Sequence, residues 1–223
     1  MANYLTLTLD TTAPASPTID VGGTYTAAQL INAVIGTGDG TTTNYQMKLW
    51  GNVDTAYDVN VQATEAASAW ITYATSKQIK LATGDGSKTV YVKIRDDVYN
   101  ESAQASDSIT LDSTKPIVSL TSDGIVKVSK IAGKNVATFS FTSDTDYIEY
   151  KVKVVTSASA DESTGTLLGT ASGSSNVAGT GTFTGSTPKT VTVNGADLQT
   201  ASAGDGAKIV KVFVKDASGN WSA

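Results

Sequence analysis

An internal duplication limits what this chain can become. Residues 84 to 102, GDGSKTVYVKIRDDVYNES, return at 204 to 222 as GDGAKIVKVFVKDASGNWS, an offset of 120 that runs without a gap through Asn100 and Asn220. A second pair of landmarks, LDTTAP from Leu9 and LDSTKP from Leu111, repeats at an offset of 102. Tyr45 and Tyr147 keep that shorter spacing and open the runs YQMKLWG and YIEYKVKVV. Repetition on the scale of about 100 residues, the commonest domain size, means one domain built twice. The difference between the offsets gives the second copy about 18 additional residues, and STGTLLGTASGSSNVAGTGTFTGST, residues 163 to 187, has no counterpart in the first. The chain therefore reads as an N-terminal extension or strand over 1 to 14, a module over 15 to 112 and a second module over 113 to 223. The Gly-, Ser- and Thr-rich stretch at about 163 to 187 reads as a loop or hairpin insertion, either a flexible surface loop or a contact arm, since loops on rigid scaffolds often carry binding.

The repeated stretch alternates. Val90, Val92 and Ile94 fall on one face and Tyr91, Lys93 and Arg95 on the other, and Val210, Val212 and Val214 repeat the pattern. A period of two marks a strand with one buried face. DSITLD, NVATFSFTSD, KTVTVNG and YIEYKVKVV are further short runs rich in β-branched and aromatic residues, separated by Gly, Asp, Asn and Ser clusters that favour turns. Strands at this spacing predict an all-β fold of two tandem immunoglobulin-like β-sandwich modules. One segment is ambiguous. TAAQLINAVIG has apolar residues at 27, 30, 31, 34 and 35, and Thr26 with Gln29 fits a capping box for a short helix. Its alignment with NVATFSFTS favours a strand around Ile31 to Ile35.

Composition removes several classes of function. Sixteen Lys and Arg against 21 Asp and Glu leave a net charge of −5. Nucleic-acid affinity comes largely from cations neutralising phosphates, and anionic membranes attract basic segments, so neither is an expected partner. Histidine and cysteine are absent, which excludes Ser-His and Cys-His catalysis, disulfides and nearly every structural zinc site. The N-terminus, MANYLTLTLDTTAP, has neither the basic region nor the uninterrupted apolar stretch of an export signal, and no run reaches the 18 apolar residues or so of a membrane span. A hydrophobic content of 40% suffices for two cores.

The remaining motifs each have a structural reading. GDGSKT resembles a phosphate loop only superficially, because that pattern needs Gly and Lys adjacent with a helix following. Here Ser87 and Ala207 intervene and a strand follows, so Gly84-Asp85-Gly86 reads as a tight turn between antiparallel strands. Asp96, Asp97 and Asn100, and likewise Asp216 and Asn220, lie where a turn could offer oxygens to calcium. Only Asp96 and Asp216 recur as carboxylates, and an Asx-type turn is the expectation, with no metal and no cofactor. Asp54 with Asp58, and Asp161 with Glu162, read as solvated loop residues rather than the carboxylate pair of a glycosidase. Trp50, Trp70, Trp221, Tyr73 and Tyr99 read mainly as packing aromatics, with Trp70 and Trp221 kept as candidates for a surface that binds sugars.

GDGSKTVYVKIRDDVYNES…SDSITLDSTKP resembles the immunoglobulin-like or fibronectin-like repeats of bacterial surface proteins and phage structural proteins. The resemblance covers about two thirds of the chain and is clearest at 84 to 116 and 204 to 222; Tyr99 departs from it, standing where glycine is usual. It implies a sandwich fold and a role in display or adhesion, with no catalytic residues. The expected function is thus a non-enzymatic virion structural protein of a bacteriophage (capsid decoration, head fibre or tail-associated). Its partners would be other capsid or tail proteins, further copies of itself or a host surface glycan. The competing reading is a bacterial cell-surface or secreted adhesive module, or a fragment of one. The chain's own Met, with no export signal, anchor or sorting motif, favours assembly in the cytoplasm into a virion over the cell surface.

The ends carry one more expectation. YLTLTLD, Tyr4 to Asp10, stands at the offset of 102 from SDSITLD, whereas the second copy has no such run after Ser222. Leu5, Leu7 and Leu9 are therefore the candidate contacts of a strand that either pairs with a partner chain, a second copy or a virion protein, or folds back on its own first module.

Overall fold

The computed structural model describes residues 5–124 and 127–223. It divides into two compact units, Met1–Ser113 and Thr114–Ala223.

The first unit contains β1 (Thr18–Asp20), β2 (Tyr25–Thr26), β3 (Leu30–Gly36), β4 (Gln46–Gly51), β5 (Ile71–Thr72), β6 (Ser76–Lys80), β7 (Gly86–Arg95) and β8 (Ala105–Leu111). They form two sheets, β1-β3-β6 and β2-β8-β7-β4-β5. Every pairing is antiparallel except the short parallel contact of β2 with β8. Ile19, Ile35 and Ile79 from one sheet and Leu49, Val92, Ile94, Ile109 and Leu111 from the other share one core. Two sheets closing on one apolar layer make a β-sandwich. Val90, Val92 and Ile94 are fully buried, as the period of two in β7 requires. The ambiguous segment is a strand, β3, with Ala33 and Ile35 buried. The Thr26 hydroxyl accepts the N–H of Ala28 at 3.1 Å in a local turn instead of opening a helix.

The second unit contains β9 (Val118–Ser122), β10 (Val136–Ser143), β11 (Tyr147–Val155), β12 (Thr166–Leu167), β13 (Ala178–Phe183), β14 (Lys189–Asn194), α1 (Gly195–Ala201) and β15 (Ile209–Lys215). One sheet is β9-β10-β14; in the other, β11 takes β15 along one edge and β12 and β13 along the opposite edge. Phe141, Val191 and Val193 from the first sheet meet Tyr150, Val152, Val212 and Val214 from the second in one core. Both units are immunoglobulin-like sandwiches, and the fold is all-β apart from α1.

The insertion corrects the expectation of a flexible surface loop. Residues 163–187 are built into the sheet: Val152 donates to the Val177 carbonyl at 2.7 Å and accepts from the N–H of Leu168 at 2.9 Å. Leu168 and Val177 enter the core, and the Phe183 ring stacks on Tyr147 at 4.9 Å. A Gly- and Thr-rich composition conceals the strands, but the long edge of β11 supplies the backbone partners that hold them. The helix α1 was not anticipated. Asn194 caps it by accepting the Ala196 N–H at 2.9 Å, and buried Asp197 in its first turn accepts from the N–H groups of Ser172 and Ser174 at 2.8 and 2.9 Å.

Candidate functional site

The duplicated polar residues build the ends of β7 and β15. Gly84 and Gly86 have φ of 82° and 119°, and Gly204 and Gly206 have 81° and 116°. Both segments need glycine, but the expected hairpin turn is corrected: β6 and β7 lie in different sheets, so Gly84-Asp85-Gly86 arches across the sandwich. A positive φ serves a crossing arch as well as a hairpin, and sequence does not separate the two. The Asp85 carboxylate fixes the arch by accepting from the N–H of Ser113 at 2.9 Å and its hydroxyl at 2.8 Å.

At the other end, Asp96 accepts from the N–H groups of Val98 and Asn100 at 2.9 and 2.8 Å and from the Asn100 amide at 2.8 Å. Asp216 accepts from the N–H and side-chain amide of Asn220 at 2.8 and 2.9 Å. These are Asx-type turns whose donors come from the protein itself. Burial alone would raise the Asp96 pKa, and the Asn100 and backbone donors outweigh it and hold it below the ordinary carboxylate value. Next in the motif, the hydroxyls of buried Ser102 and Ser222 accept from the N–H groups of Ile94 and Val214 at 3.0 and 3.1 Å. Tyr99 has φ of 70°, and its counterpart Gly219 has 101°, so the tyrosine occupies a left-handed position that glycine fills in the second module.

The aromatics are divided between the two modules. Trp50 is buried and stacks on Tyr91 at 5.6 Å. Lys48 Nζ and the Arg95 guanidinium lie 4.8 and 4.4 Å from the Trp70 ring centre, and that guanidinium also lies 4.4 Å from Tyr99. Lys151 and Lys215 lie 4.6 and 5.6 Å from Trp221. Cations thus contact the Trp70, Tyr99 and Trp221 rings, an attraction that holds these side chains in place. Tyr73 packs against the first core and its hydroxyl donates to the Ile35 carbonyl at 3.3 Å. The carboxylate pairs are structural. Asp54 meets Lys80 at 2.8 Å, Asp58 meets Lys77 at 2.6 Å, and Glu162 meets Lys151 and Lys153 at 2.8 and 3.1 Å. Asp161 accepts the Ser163 hydroxyl at 2.6 Å.

One edge distinguishes the modules. β7 pairs with β4 on one side and β8 on the other, while β15 has β11 as its one partner strand among the described residues, its other side meeting only Trp221 and Ser222 at the Val214–Lys215 end. The exposed side of β15 shows in its burial. Lys88 and Val90 are buried, but Lys208 and Val210, their counterparts, are only half-buried, although Val210 faces the core as its alternation requires. Ile19 of β1, paired with Ile35, is 9% exposed; Leu120 of β9, paired with Phe141, is 54% exposed. Val118, Leu120, Ile209 and Val210 line an open cleft there.

At the other end of the chain, Leu5, Leu7 and Leu9 are 80%, 81% and 89% exposed and belong to no strand. Tyr4, where that expected strand begins, lies outside the described residues. The amide of Asn100 donates to the carbonyl of Asp10 at 3.3 Å, so the leucines lie just before a point anchored to the first module.

These features define a class: tandem immunoglobulin-like modules whose repeated motif is architectural. No protein-family profile matches the chain. No curated protein matches it either. Among solved structures it is similar to the fibronectin(III)-like modules of Clostridium thermocellum CbhA, at 13% identity over 93% of this chain and 90% of that one, with a TM-score of 0.45. It is also similar to the chitinase ChiA74 from Bacillus thuringiensis, at 13% identity over 92% of this chain and 30% of that one, with a TM-score of 0.31.

Proposed function

We propose that the chain is a non-enzymatic structural protein that acts through protein–protein contacts and surface display, in the virion of a bacteriophage. The observation that carries this reading is the use of the duplicated polar residues. Asp85, Asp96, Asn100 and Ser102 are each held in turn or strand-end hydrogen bonds, as are Asp216, Asn220 and Ser222 in the second module. A motif held in this way builds scaffold, and what it leaves for contact is backbone edge and apolar surface. The resemblance of the repeat to phage structural modules favours the virion as the setting. An antibody against the chain should label density-purified phage particles and co-purify with capsid or tail proteins. Recovery only with the cell envelope would replace this reading.

A second reading, a bacterial surface or secreted adhesive module, is favoured by Trp70 and Tyr99 clasping Arg95 on the first module. Glycan binding that Trp70→Ala abolishes would support it.

A further inference from the structure

We propose that residues 5–11 of one copy insert as a strand along the open edge at 206–210, where the chain enters β15, in a second copy, joining chains head to tail. This goes beyond the functional reading above and holds for whichever particle or surface carries the protein. The register follows from the first module. There β7 and β8 pair Gly86 with Leu111, Ser87 with Thr110, Lys88 with Ile109, Thr89 with Ser108 and Val90 with Asp107. Moving β7 by its offset of 120 and β8 by its offset of 102 sets Leu9 opposite Gly206, Thr8 opposite Ala207, Leu7 opposite Lys208, Thr6 opposite Ile209 and Leu5 opposite Val210.

Side-chain direction agrees with that register. In β8, Asp107, Ile109 and Leu111 turn toward the sandwich, with Ile109 and Leu111 in the core, while Ser108 faces out. The incoming strand therefore turns Leu5, Leu7 and Leu9 inward and Thr6 and Thr8 outward, the division a half-buried strand needs. Three exposed leucines alternate with two threonines on a segment that no strand covers.

The receiving side is complementary. Clefts of about 220 and 200 Å³ adjoin at Val210, the first lined by Val118, Leu120 and Ile209, the second by Val128, Phe139 and Leu198. The polar clamp of the first module is also prepared. Asp85 receives the N–H and hydroxyl of Ser113, and the same offsets bring Asp205, which is exposed, to Thr11, which likewise carries an N–H and a hydroxyl. Backbone pairing supplies affinity and the alternating leucines supply specificity, as in other cases of strand addition to an open sheet edge.

The chain contains no cysteine, so the register can be trapped. A full-length double variant, Thr8→Cys with Ala207→Cys, should give a ladder of disulfide-linked oligomers under mild oxidation. The off-register pair Thr6→Cys with Ala207→Cys should give markedly less. In sedimentation velocity the unmodified chain should gain mass with concentration. Leu7→Asp with Leu9→Asp should lose that association while its melting curve stays unchanged, because both side chains are exposed. A closed, disulfide-linked monomer at every concentration would overturn the proposal by showing the strand on its own chain. Association that survives the two aspartates, or a chain that is monomeric throughout, would overturn it as well.

Discussion

Ser102 and Ser222 show what the repeated motif does at single-residue scale. Each hydroxyl is an acceptor for a buried strand N–H at the point where the chain turns away. Ser222→Ala leaves the Val214 N–H without that acceptor and should cost about 1–3 kcal/mol, read as a lower urea midpoint of the second module at unchanged slope. Gly219→Ala should cost about 1–2 kcal/mol for conformational reasons alone, since φ is 101° and a Cβ there would meet nothing within 4 Å. A loss well below that range would mean that the turn relaxes. Tyr99 holds the equivalent position in the first module with its ring against Arg95, a contact that glycine does not make.

Among elements, β7 and β15 are nearly the same strand in different surroundings. Val92→Ala and Val212→Ala both empty a core and should cost about 1–3 kcal/mol, from lost transfer energy plus a cavity. Val90→Ala should cost clearly more than Val210→Ala in dilute chain, because Val90 is fully buried and Val210 is not. Equal losses in urea unfolding would mean that the edge of β15 is covered in solution. The strands were legible where side chains alternate: β7, β8, β10, β11, β14 and β15 all follow runs visible in the sequence. The short strands β12 and β13 within 163–187 were not, because Gly and Thr give no apolar period and their pairing is decided by the free edge of β11. The same holds for the arch at Gly84 to Gly86, where local chemistry requires a positive φ but leaves open which sheet the next strand joins. Within the candidate site, the alternation of Leu5, Leu7 and Leu9 was legible, although the described residues there form no strand. The open cleft beside Val210 was not, since it depends on which strands end up adjacent.

For the molecule as a whole, the two compact units predict two separable foldings. Residues 1–113 and 114–223, produced apart, should each unfold cooperatively, and calorimetry of the full chain should resolve into their two transitions. Failure of either piece to fold would show that the division is not energetic. Acid should act on both. Asp58 and Asp96 in the first unit, and Glu162 and Asp197 in the second, have folded pKa values below the ordinary carboxylate value. In each case burial would raise the value and is outweighed: by Lys77 for Asp58, Asn100 for Asp96, Lys151 and Lys153 for Glu162, and Ser174 with Ser172 for Asp197. Groups depressed in this way contribute stability that is full above the unfolded carboxylate pKa of about 4 and is lost as pH falls through the folded values. Melting temperature should therefore hold from neutrality to about pH 5 and fall below about pH 4; an onset above pH 5 would implicate other groups.

The missing imidazoles have a further consequence. Unperturbed side chains that change charge between about pH 5 and 8 are histidines, and this sequence has none. The ion-paired lysines reinforce this: hydrogen bonding to Glu65 raises the pKa of Lys93, and hydrogen bonding to Glu162 raises that of Lys151. The charge carried by the side chains is therefore nearly constant between about pH 5 and 8. A change of pH within that range gives no side chain a new charge with which to open an interface.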